Sequence, residues 1–111
     1  MATVPVSQAD VSHSSNTEER FQRLAARWRA ETAYLSSLTE MIAHPAYQEI
    51  IALGPEVVPS LLRDLEKEPD YWFAALRALT GANPVPPEDA GKLDNMAAAW
   101  LNWGRENGYQ W

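Results

Sequence analysis

The chain has 111 residues, 46% of them apolar and 22% charged, with five tryptophans, no cysteine and a net charge of −6. Such a composition suits a globular domain able to bury its own core and lies far from the polar, highly charged signature of disorder. The lack of cysteine excludes disulfides and thiolate metal sites, and no stretch approaches the ~20 apolar residues of a membrane span.

Met1-Ala2-Thr3-Val4-Pro5-Val6-Ser7 has neither a basic nor an apolar region of the kind a secretory signal carries, so a cytoplasmic protein is expected. The charge is unevenly spread. Residues 1–31 hold four acids and four bases, whereas residues 32–111 hold eleven acids and five bases. An acidic body repels phosphate backbones and disfavours broad nucleic-acid binding, leaving only a local basic patch to consider.

Residues 1–15 mix Ser, Thr, Pro, Gln and Asp without a sustained period and are expected to form a flexible arm. A single all-helical domain is then expected over residues 16–111. Asn16 and Glu19 fit a capping box, with the acids Glu18 and Glu19 placed at the positive end of the helix dipole. Behind them Phe21, Leu24, Trp28, Leu35, Leu38 and Ile42 recur at spacings of three, four and seven. This predicts one long amphipathic helix to about Ala43, with Arg27 and Glu31 paired at its edge. Pro45 disfavours helix at His44 and closes the element.

A short second helix is predicted from Pro45 to Leu53, with proline at its first position and Gly54 as a left-handed stop. Pro55 opens a third, whose buried face is Val57, Val58, Leu61, Leu62 and Leu65. Pro59 falls in its first turn or marks its true start. Asp70 is the expected N-cap of a fourth helix carrying Trp72, Phe73, Leu76 and Leu79 and ending at Gly81. Pro84, Pro86 and Pro87 make the following segment an extended connector. A last helix, from Glu88 or Leu93 to Asn107, turns Leu93, Met96, Ala97, Trp100 and Trp103 inward and stops at Gly108. No run of alternating β-branched residues occurs. The predicted fold is all-α, a bundle of about five helices.

The run Ile50-Ile51-Ala52-Leu53-Gly54-Pro55-Glu56-Val57-Val58-Pro59-Ser60-Leu61-Leu62-Arg63-Asp64-Leu65 resembles the core of HEAT repeats. There a helix ends in Leu-Gly, and Val-Pro with a Leu-Leu pair begins its antiparallel neighbour. The resemblance extends over about residues 45–80 and implies HEAT-like helical hairpins and a scaffold for binding other proteins. Trp100, Trp103 and Gly104 depart from any repeat consensus. The whole chain also resembles a group of small uncharacterised bacterial proteins, which implies no activity.

Candidate sites are few. His13 and His44 lie far apart in sequence and offer no converging metal ligands. Glu66, Glu68, Asp70, Glu88, Asp89 and Asp94 sit in turns and at helix starts, where acids favour the dipole. There is no nucleophilic elbow and no glycine-rich phosphate loop, so no catalytic residue, metal or cofactor is expected. Arg20, Arg23 and Arg27 line one side of the first helix, either as a solvated face, as the rim of a protein interface or as a phosphate grip. Tyr109 and Trp111 follow the last glycine and either fold back as a plug or stand ready to anchor a partner.

The expectation is a non-catalytic interaction module acting on a protein partner or as a homodimer, through Phe21, Leu24 and Trp28, the arginine edge, and Tyr109 and Trp111. An accessory subunit of a bacterial two-gene system, such as the neutralising partner of a toxin, suits a small acidic chain of this kind. The alternatives are a nucleic-acid-associated factor using Arg20, Arg23 and Arg27, and a small-molecule enzyme with a dispersed site.

Overall fold

The computed structural model describes residues 4–111, with side chains from residue 16 onward. The arm expected over residues 1–15 lies outside that side-chain description, as does His13. Six α-helices follow in order: α1 (Val4–Thr32), α2 (Leu38–Ala43), α3 (Pro45–Ala52), α4 (Val58–Lys67), α5 (Phe73–Thr80) and α6 (Leu93–Glu106). Single 3₁₀ turns occupy Pro55–Val57 and Pro87–Asp89. No strand occurs among the described residues, and none of the helices described is long and apolar enough to cross a membrane. The fold is a small all-α bundle. It divides into two units, Met1–Val57 and Val58–Trp111.

In the first unit α1 packs on α3 and on the 3₁₀ turn, and α2 packs on α3. Phe21, Ala25 and Trp28 of α1, Ala46, Tyr47 and Ile50 of α3, and Val57 are all buried. The Trp28 and Tyr47 rings meet at 5.3 Å between centroids, tilted by 53°, a favoured aromatic arrangement.

The long first helix expected to reach Ala43 is broken instead at Thr32, and Asn16 falls inside α1 rather than at its start. The break has local causes. The Thr32 hydroxyl donates back to the Trp28 carbonyl at 2.6 Å, and the Ser37 hydroxyl accepts the Glu40 backbone N–H at 3.3 Å. Ser37-Leu38-Thr39-Glu40 is therefore a helix start, with Ser37 as the N-cap. A tertiary tie holds the bend: Trp28 Nε1 donates to the Met41 carbonyl at 2.8 Å. In an unbroken helix those residues would be roughly 20 Å apart along the axis.

In the second unit α4 packs on both α5 and α6. The third predicted helix starts at Val58 rather than Pro55, which opens the 3₁₀ turn carrying Val57. On its buried face Val58, Leu61 and Leu62 are fully enclosed and Leu65 is 1% exposed. Each such aliphatic side chain contributes about 1.5–3 kcal/mol on leaving water. Pro59 sits in the first turn of α4, where its missing N–H breaks no helical bond.

The expected N-cap at Asp70 is displaced. Asp70 Oδ1 accepts the neighbouring Tyr71 N–H at 2.8 Å, and α5 starts three residues later behind Trp72. Trp72 is fixed by burial of its ring and by Nε1, which donates to Asp64 Oδ2 at 2.7 Å. Gly81 ends α5 at φ +73°, a left-handed conformation that glycine adopts without a Cβ clash. The three-proline stretch is non-helical until the 3₁₀ turn at Pro87, and α6 begins at Leu93. Ala97 and Trp100 face inward as expected, while Trp103 is only half-buried and Gly104 is buried in its place.

Candidate interaction groove on α1 and α3

Residues 20, 23, 24 and 27 recur at helical spacing and therefore share one face of α1. Glu49, Ala52 and Leu53 come from the C-terminal half of α3 and its cap. Together these seven residues line an open groove of about 420 Å³. Leu24 and Leu53 are half-buried and give it an apolar floor, while Arg20, Arg23 and Arg27 are exposed along its rim.

The three arginines are not equivalent. Arg27 Nη1 lies 3.5 Å from Glu49 Oε2 and Arg27 Nε lies 3.3 Å from Glu31 Oε2. Glu31 Oε1 in turn meets His44 Nε2 at 2.8 Å. His44 Nδ1 accepts the Ala46 N–H at 3.0 Å and caps α3. Because Nδ1 is the acceptor, the neutral ring must carry its hydrogen on Nε2 and donate it to Glu31. A continuous chain from Glu49 through Arg27, Glu31 and His44 thus fixes one end of the groove. The Arg27–Glu31 pair expected from spacing alone is present. At Arg20 and Arg23 no ion pair is seen among the described residues.

Three arginines and Glu49 line this groove, and Glu31 pairs with Arg27 at its edge, which leaves a local excess of one positive charge in a chain of net charge −6. Guanidinium groups present rigid, bidentate donors that match carboxylates and phosphates. The polar groups lining the groove are the three guanidiniums and the Glu49 carboxylate.

Phe21 and Trp28, also expected to meet a partner, are 0% and 2% exposed and are enclosed by the chain itself. Leu35 is half-buried. Tyr109 and Trp111 fold back within the second unit. The Tyr109 N–H donates to the Gly104 carbonyl at 2.9 Å, and the Tyr109 ring lies 5.5 Å from that of Trp103. Trp111 Nε1 donates to Glu66 Oε1 at 3.1 Å. Arg105 lies over the Trp111 ring at 5.4 Å and binds Glu66 Oε2 at 2.8 Å. The tail is docked, not projecting.

A second open groove, of about 670 Å³, runs beside α6 and includes Pro84, Pro86, Asn102 and Trp103 in its lining. Its Asn95 side chain donates to Asp89 Oδ1 at 3.1 Å. Asn95, Ala98, Ala99, Asn102 and Glu106 repeat at helical spacing along it, a polar and small-residue face that carries no distinctive motif in the sequence. Among the described residues no group of three or more metal-ligating side chains converges.

No family model matches the chain, and no curated protein and no solved structure is significantly similar to it.

Proposed function

We propose that this protein is a non-catalytic interaction module that binds another protein through the groove between α1 and α3. The observation that carries the reading is the coincidence of an apolar floor with arginines, two of them without an acidic partner among the described residues. Protein interfaces are built in this way, with an apolar centre inside a polar rim enriched in arginine. The overall acidity opposes a long polyanion, and an isolated patch lacks the extended basic track that nucleic acids require. The run over residues 45–80 that resembles a HEAT repeat supports a scaffold role in the same direction. An acidic cytoplasmic accessory subunit, of the kind found beside a larger partner in bacterial two-gene systems, is the form of that role that suits a 111-residue chain.

A photo-crosslinking residue at Ala52, in the groove, and another at Ala78, on α5, test the reading in cells expressing the full chain. The expected result is a discrete protein adduct from position 52, and none from position 78. Adducts to nucleic acid from position 52, or no protein adduct from either position, would overturn it.

A further inference from the structure

We infer that the occupant of the groove is an α-helical segment of the partner carrying carboxylates at three- and four-residue spacing beside an aliphatic stripe. The inference rests on the interaction-module reading and adds the chemistry and conformation of what binds. Charge sets the first half of it. Arg20 and Arg23 are exposed and lack an acidic partner among the described residues, so they meet carboxylates on the partner at little cost in broken pairs. Arg27 is already held by Glu31 and Glu49 and acts as a fixed post rather than a free hand. The floor of Leu24 and Leu53, with the exposed Ala52 beside it, calls for small or branched aliphatic side chains between the acids.

Geometry sets the second half. Arg20 and Arg23 are three residues apart and Arg27 four further on, which places them about 4.5 Å and 6 Å apart along the α1 axis. A helix lying alongside α1 repeats that rise, so acids at i and i+3 stay in step with the Arg20 and Arg23 guanidiniums, and an aliphatic residue at i+7 passes the paired Arg27. An extended strand advances about 6.6 Å between residues on one face, against about 4.5 Å between Arg20 and Arg23. Helix-in-groove docking is thus favoured over strand addition.

The test uses fluorescence anisotropy with the full chain and a labelled, capped peptide of about 18 residues, five helical turns long. Its glutamates repeat at three- and four-residue intervals beside a leucine stripe. A control peptide of the same composition has alternating glutamates, and a short DNA duplex is the third probe. The first peptide is expected to bind best, and Arg20→Ala/Arg23→Ala to weaken it about tenfold, the sum of two exposed charge pairs. Arg20→Glu/Arg23→Glu should reverse the preference toward a lysine version of the peptide. Both pairs of substitutions are at exposed positions, and circular dichroism of each variant verifies that the helices persist.

Equal binding of helical and alternating peptides, tighter binding of the duplex, or loss of affinity without reversal in the glutamate variant would overturn the inference. A protein adduct at position 52 alongside failed peptide binding would retain the module and discard the acidic helix. Absence of both would discard the module as well.

Discussion

Glycine in the middle of a helix is ordinarily a defect, and Gly104→Ala should ordinarily stabilise α6 by about 1 kcal/mol. Here the sign should reverse. A Cβ at position 104 would stand 2.9 Å from Leu62 Cδ1, 3.0 Å from Trp111 Cζ3 and 3.2 Å from Trp111 Cη2. Leu62 is fully buried, so it has little room to give, and overpacking of this kind costs about 1–3 kcal/mol. Subtracting the propensity gain leaves a net loss of about 1 kcal/mol, with an upper end near 2. Urea unfolding followed by far-ultraviolet circular dichroism reads this as a lower midpoint at unchanged slope. Trp111→Ala in the same background should remove part of the penalty, because the indole is one of the two groups displaced. A Gly104→Ala variant as stable as the parent or more so would refute the close approach of α4, α6 and the tail.

Other consequences follow from single contacts. Trp72→Phe removes the indole donor from the buried Asp64 carboxylate and should cost about 2 kcal/mol by urea unfolding, since hydrogen bonds to charged groups are worth roughly 1.5–3 kcal/mol. Ser37→Ala deletes the hydroxyl that caps α2 at 3.3 Å and should cost about 0.5 kcal/mol, the low end for N-caps because the bond is long. His44→Ala removes the cap of α3 together with the Glu31 partner and should cost about 1 kcal/mol. His44→Asn, an able N-cap, should recover most of that loss in the same assay. Glu66→Gln disrupts an exposed pair with Arg105 and should change stability by under about 1 kcal/mol.

The sequence made the local features of this fold legible because they are set by neighbours along the chain. Glycine at positions 54 and 81 stops two helices at positive φ, and Val58, Leu61, Leu62 and Leu65 share the buried face of α4 because their spacing matches the helical period. The arginine edge was visible for the same reason. Its opposite wall was not, because Glu49, Ala52 and Leu53 reach the groove only through the packing of α3 on α1, which no local period encodes.

The break after Thr32 escaped notice because Leu35, Leu38 and Ile42 prolong the apolar period across it. A capping pattern at Ser37 and Glu40 was nevertheless present, and it outranks periodicity where the two disagree. Asp70 shows the opposite conflict: an acid before a helix has the pattern of a cap, yet α5 starts behind the buried ring of Trp72. Burial of Phe21 and Trp28 likewise depends on contacts distant in sequence, so an apolar stripe alone could not distinguish core from docking surface.

Docking of an acidic helix on the face formed by Arg20, Arg23, Leu24, Ala52 and Leu53, as proposed, can be mapped directly by nuclear magnetic resonance. Titrating isotope-labelled protein with the glutamate–leucine peptide and following backbone amide shifts locates the contact residue by residue. The largest changes are expected on residues 20–27 and 49–53, with little movement on α6. Changes centred on α6 and the proline connector, or scattered without a focus, would contradict it.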